Sequence, residues 1–412
     1  MGLKQGAARG HILLPGRGIL SRTAVLIPLL CAALYGQISP GVDARLKTLQ
    51  DKANAALGRR DTAAAVAALQ EGLKLDPNWK DGLWTLGWTL FRDAKYDAAR
   101  PVFVSLLRLD QSKAGPWLLL GLCEFEGRDY GMALDDLQHG RALGIPADLG
   151  IAPAVRYHIA VGLALGGKYE GALELLEQAA LTDEHTPEVV LATGLASMRI
   201  PVPPQDAPDV FGKAQIGMLR EVGEALFEGA RRNRAATGEI YARLFKSFPD
   251  TAKLHHSYAY FLIGTGDLAK AESEFRAELG VDPDSVLARC GIAYILLERG
   301  EAEQAAQTAR EAVRIDPGAA TARFLLGKAL LRSGKAADSI PELETARELE
   351  PQSSKVRFAL VQAYREVDRS EDAQREANEF ERLRQVEDQI KVRGQAPAAL
   401  LDGSGQAAQP RK

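Results

Sequence analysis

The stretch RAELGVDPDSVLARCGIA, residues 276–293, returns in altered form at a fixed distance. Thirty-four residues on, residues 310–328 read REAVRIDPGAATARFLLGK. A further 34 on, residues 346–362 read ARELEPQSSKVRFALVQ. Each copy runs from an apolar segment through an Asp-Pro or Glu-Pro step into a new apolar stripe. Pro249, Pro283, Pro317 and Pro351 mark the same interval. A period in this range is the mark of stacked supersecondary units.

Between successive prolines lie two amphipathic segments with apolar residues at three- and four-residue spacing, which predicts two helices per unit. In residues 286–319 they are VLARCGIAYILLERG and EAEQAAQTAREAVRI. Gly300 is placed to close the first in the left-handed conformation. Pro317 ends the second, because proline lacks the donor a helix needs and biases Asp316 away from helical angles. Small residues recur where the helices face each other. Ala259, Ala293 and Gly327 stand eighth in their units, and Ala271 and Ala305 twentieth. Close approach of antiparallel helices requires this, and larger residues such as Phe275, Leu326, Leu330 and Leu343 then fill the space between pairs. One pair cannot bury its stripe alone, so the units must stack.

These residues resemble the tetratricopeptide repeat, or TPR, most strongly over 252–353. Looser units are read at 46–79, 80–113, 114–147, 153–186 and 218–251, and a last one begins at Ser354. The expected fold is all-α, an α-solenoid of antiparallel helix pairs with about nine units, the first, fifth and ninth degenerate. The phase breaks at MRIPVPPQDAPDVFGK, residues 198–213, which holds four prolines and reads as a linker or as a loop folded over the groove. The helix before it, EVVLATGLASM, has no obvious partner. The expected organisation is therefore an N-terminal segment at 1–36, a first block at 43–197, a Pro-rich linker at 198–217, a second block with capping helix at 218–393, and a disordered tail at 394–412.

Residues 1–42 contain no Asp or Glu but carry Lys4, Arg9, Arg17 and Arg22, followed by the apolar run TAVLIPLLCAALYG at 23–36. This is the order of a secretory signal, and the run is shorter than the roughly 20 residues that span a bilayer. Export to a periplasmic or extracellular space is expected. The alternative is an uncleaved membrane anchor, which would make the chain a tethered structural or assembly factor acting as a spacer.

Nothing in the composition points to chemistry or to nucleic acid. Apolar residues make up 46% and charged residues 25%, with a net charge of −3. The three cysteines include Cys123 and Cys290 inside apolar stripes and form no metal-binding spacing. GLALGGKY, residues 162–169, has the start of a phosphate loop, but Tyr169 stands where a magnesium-binding hydroxyl is needed, and a helix precedes it in place of a strand. The six histidines include no HExxH pair, and His255 and His256 point about 100° apart on a helix. No catalytic, cofactor-binding or metal-binding residue is assigned, and no cofactor is expected. The expected function is non-enzymatic, with an accessory subunit of an enzyme complex as the remotest reading.

The TPR resemblance implies a concave groove lined by the second, fifth, ninth and twelfth residues of each first helix. Mapped onto this chain, that face includes Trp84, Trp88, Tyr157, His256, Tyr260, Tyr294, Phe324, Lys328 and Phe358. Aromatic side chains suit a binding surface because they offer large contact area at low entropic cost. The partner implied is a protein or peptide segment. Some such grooves clamp a terminal carboxylate, but Lys253, His256, Leu287, Tyr294 and Thr321 do not reproduce that clamp.

Overall fold

The computed structural model describes residues 40–182 and 184–395. The expected export segment at 1–36 lies outside them, as does the expected tail beyond Gln395. Every described element is helical. Four antiparallel pairs come first: α1 (Pro40–Gly58) with α2 (Thr62–Leu75), α3 (Lys80–Arg92) with α4 (Tyr96–Leu109), α5 (Ala114–Glu126) with α6 (Tyr130–Leu143), and α7 (Ala152–Leu165) with α8 (Tyr169–Ala180). A middle unit follows, with α9 (Pro187–Ser197), the single turn α10 (Ala207–Val210), α11 (Lys213–Ala230) and α12 (Arg234–Ser247). Four more pairs complete the array: α13 (Leu254–Gly264) with α14 (Leu268–Val281), α15 (Val286–Glu298) with α16 (Ala302–Ile315), α17 (Ala320–Arg332) with α18 (Ala336–Leu349), and α19 (Ser354–Glu366) with α20 (Ser370–Gln395). The all-α solenoid expected from the period is the fold found.

The 34-residue interval is written into the backbone. Arg60, Ala94 and Arg128 adopt positive φ at 34-residue spacing, and Arg232, Gly266, Gly300, Gly334 and Asp368 repeat it downstream. Each residue sits in the tight turn inside a helix pair. The Asp-Pro step has its own mechanism. The carboxylates of Asp76, Asp282 and Asp316 accept hydrogen bonds from the backbone N–H of Asn78, Asp284 and Gly318. Such Asx turns draw the chain out of the finished helix while proline blocks its continuation. At Asp110 the turn survives although Gln111 replaces proline, because Ser112 supplies both its N–H and its hydroxyl.

Packing follows the small-residue pattern. Ala259, Ala271, Ala293 and Ala305 are fully buried, and Phe275, Leu326 and Leu343 fill the seams between pairs. Three apolar clusters follow one another along the array, from Leu49 to Phe227, from Leu191 to Leu330 and from Ile340 to Ala373, and the first two both draw on α9 and α11.

That overlap shows what the sequence left unpaired. Helix α9 packs along α11, across the Pro-rich segment. The contact is backbone on backbone: a Cβ added to Gly194 would lie 1.8 Å from the Leu219 carbonyl oxygen, and one on Gly223 would lie 2.0 Å from that of Val190. Helix α11 starts at Lys213, inside the expected linker, and also pairs with α12. The fifth unit is thus a three-helix element. The Pro-rich segment carries the buried Ala207, and its Asp206 is held by Arg128 of the third pair. The curvature accumulated along the array brings α20 back against α6.

Candidate functional site: the concave cavity

The first helices of the last four pairs, α13, α15, α17 and α19, present one face to a common concavity of about 1440 Å³. The opposite wall is closed by Glu170 and Arg199 from the first half of the chain. The sequence-predicted His256, Tyr260, Tyr294, Phe324, Lys328 and Phe358 all line this space. They meet because the two-helix period places equivalent positions one above another in successive units.

Trp84, Trp88 and Tyr157 lie outside this cavity. Trp84 stacks on Trp88 with ring centroids 6.4 Å apart, Trp88 stacks on Phe91 at 6.0 Å, and Trp84 meets Phe103 edge-on. Tyr157 meets the His158 ring edge-on at 5.0 Å, and burial raises its phenol. These rings belong to the packing of the first block.

Within the cavity, Phe358 is 48% exposed and leans on Phe380 of α20. His256 is 6% exposed and tilts against Phe275. Burial, then the positive charge of Arg199, pushes its imidazole down to about 3, so the ring is neutral at ordinary pH. Its Nδ1 is buried without a hydrogen-bond partner. The backbone at this end is fixed by Glu278, fully buried on α14, whose carboxylate accepts from the N–H of Lys253 at 2.5 Å and of His256 at 3.2 Å. A carboxylate on the exposed N–H groups of a helix start satisfies both their hydrogen bonding and the helix dipole. Burial raises the Cys290 thiol, also on the wall, to about 12, which leaves it an inert small hydrophobe.

Arg199 and Glu170 were not foreseen. Arg199 has positive φ just after α9 and donates to Glu170 at 2.6 Å, with its guanidinium 5.1 Å from the Tyr169 ring centre. Burial alone would raise the Glu170 carboxyl, but the hydrogen bond and charge of Arg199 hold it below the usual range. On the other side, Lys328 is half-buried. Burial lowers its ammonium, and Arg332 and Lys355 lower it further against the opposing pull of Glu298. Among the described residues, no group of three or more metal-ligating side chains converges. No described helix is long and apolar enough to cross a membrane.

The family described as Tetratricopeptide repeat matches residues 51–110, 84–139, 259–320 and 324–388, together more than half of the chain. Among solved structures the chain is similar to the MamA protein, at 19% identity over 47% of this chain and 94% of that one, with a TM-score of 0.35. It is also similar to a tetratricopeptide repeat protein from Parabacteroides merdae, at 15% identity, 70% and 99% coverage and a TM-score of 0.31. The TPR domain of P58(IPK) aligns at 14% identity, 79% and 99% coverage and a TM-score of 0.27. No curated protein matches the sequence. On its period, its helix pairs and the family match, the chain belongs to the tetratricopeptide repeat family.

Proposed function

We propose that the chain is a non-enzymatic scaffold that binds a protein or peptide segment in the concave cavity of its second half. The observation that supports this most is the row of partly exposed rings, Tyr260, Tyr294, Phe324 and Phe358, that share the lining of this one cavity. Buried aromatic anchors dominate the energetics of most protein interfaces. Export through residues 1–36 is part of the proposal and rests on the sequence of that segment alone.

Crosslinking in the native compartment identifies the bound chain, and titration with that chain then tests the site. Tyr294→Ala and Phe324→Ala are each expected to weaken binding by about 2 kcal/mol, roughly thirtyfold. Trp84→Ala, which breaks a ring stack in the first block, is expected to lower the melting temperature and leave affinity unchanged. Full affinity in both cavity variants would reject the assignment.

A further inference from the structure

His256, Cys290, Phe324 and Phe358 hold the same place in successive pairs, 34 residues apart, and all four line the cavity. Their exposure rises along the array: 6% at His256, 8% at Cys290, intermediate at Phe324 and 48% at Phe358. The row four residues on follows the same course, with Tyr260, Tyr294 and Lys328 half-buried and Gln362 exposed. Equivalent positions in a uniform stack would be exposed alike. The cavity is therefore graded, deep at α13 and open at α19. Arg199 stops the deep end: its side chain is nearly buried, it donates to Glu170, and its carbonyl accepts from Lys253 Nζ at 3.5 Å, three residues before His256.

This blind end is rich in rings, and the ion pair beside it, Arg199 with Glu170, is closed on itself. His256 is the polar group left open. Its backbone N–H is held by Glu278, but its Nδ1 is buried with no hydrogen-bond partner. Among the described residues, it is the one such side chain that lines the cavity. An unpaired buried polar atom destabilises the empty chain, and a ligand that supplies the bond removes that cost. Burial keeps the ring neutral, so it both donates and accepts. The matching group is uncharged, with an apolar ring for the walls and one hydrogen-bonding tip for the floor. A phenol has that shape. A carboxylate or ammonium would have to shed its water beside an ion pair that is already satisfied, and an indole carries its N–H on the flank of the ring.

We propose that the α13 end of the cavity is a subsite for a phenol, filled by a tyrosine side chain of the bound segment, whose hydroxyl takes up the open hydrogen bond of the His256 imidazole while its ring lies among Tyr260, Phe275 and Tyr294. This rests on the groove reading above and names the anchor residue of the partner. The rest of the segment leaves past Phe324 and Phe358, the direction in which the cavity opens.

The test uses the full chain and side-chain analogues: p-cresol for tyrosine, toluene for phenylalanine, 3-methylindole for tryptophan, and N-acetyltyrosinamide to add the peptide backbone. Affinity is read from ligand-observed magnetic resonance, and contact from the ring-nitrogen signals of His256. In wild type p-cresol is expected to bind about fivefold more tightly than toluene, the worth of one hydrogen bond, and to shift those signals. His256→Phe should remove that margin and leave toluene binding as it was. Cys290→Leu, which fills the deep end, should weaken both ligands. Melting curves check that the variants fold, and the comparison of cresol with toluene in wild type needs no variant. Equal binding of the two, no binding of either, a preference for 3-methylindole, or a cresol margin that survives in folded His256→Phe would overturn the subsite. So would binding of p-cresol without N-acetyltyrosinamide, which would make the ligand a free phenol. None of these outcomes touches the groove reading, which stands or falls with Tyr294→Ala and Phe324→Ala against the crosslinked partner.

Discussion

Arg128 holds Asp206 by two parallel hydrogen bonds of 3.0 and 2.9 Å across 78 residues of chain. The pair ties the Pro-rich segment to the turn between α5 and α6, and Gln205 adds a 3.2 Å contact to the Tyr130 hydroxyl beside it. Arg128 is largely exposed, so the pair adds at most about 1 kcal/mol to global stability. Its effect is local. Arg128→Ala should speed amide hydrogen exchange over residues 200–212 and leave the melting temperature nearly unchanged.

The α9–α11 crossing makes a sharper prediction. Gly223→Ala places a methyl group against the Val190 carbonyl, and no side-chain rotation relieves a backbone clash. The helices must separate, and the expected loss exceeds about 2 kcal/mol. Gly217→Ala, on the same helix with open space around it, should instead stabilise by up to about 1 kcal/mol through helix propensity. Chemical denaturation of the two variants reads the contrast.

Glu376 is 6% exposed and accepts from Arg347 of α18 and Arg357 of α19. One carboxylate thereby joins the last two pairs. Glu376→Ala leaves two partly buried guanidinium groups facing each other, and a loss of about 3 kcal/mol or more is expected. The damage should appear as early unfolding of α18–α20 in hydrogen exchange.

Glu124 gives a pH dependence whose sign is set by its surroundings. Burial, then the neighbouring Asp136, raises its carboxyl from 4.5 to about 7, and its Oε2 has no partner. The folded chain thus holds a proton that the unfolded chain releases near pH 4.5. The stability this proton contributes is complete below pH 4.5 and is lost as pH rises through about 7. Glu124→Gln mimics the protonated form at every pH. Relative to wild type its melting temperature should gain between pH 5 and 8, and a constant difference would contradict this account.

Much of the fold was legible because two local devices repeat with the period. Asx turns at Asp76, Asp282 and Asp316 and left-handed residues in the pair turns both reflect short-range chemistry. The pairing of α9 with α11 was not legible. Nine of the eleven α9 residues are buried, so it has no apolar stripe to point at a partner, and its contact runs through two glycines. The site divides in the same way. Positions set by repeat phase, such as Tyr294 and Phe324, reach the cavity, whereas Arg199 and Glu170 arrive there through curvature summed over several units. No local pattern encodes that sum. Trp84 and Trp88 obey the phase and still lie elsewhere, because their rings pack on each other and on Phe91 and Phe103.

The array curls far enough to bring α20 back against α6, and a distance across that closure tests the account of the fold most directly. Spin labels on the exposed Met132 of α6 and Val386 of α20, in the full chain in solution, give the distribution by pulsed electron resonance. Closure predicts a main population below about 40 Å, set by the lengths of two touching helices. A main population on the order of 70 Å, the reach of seven pairs stacked without curling, would contradict it.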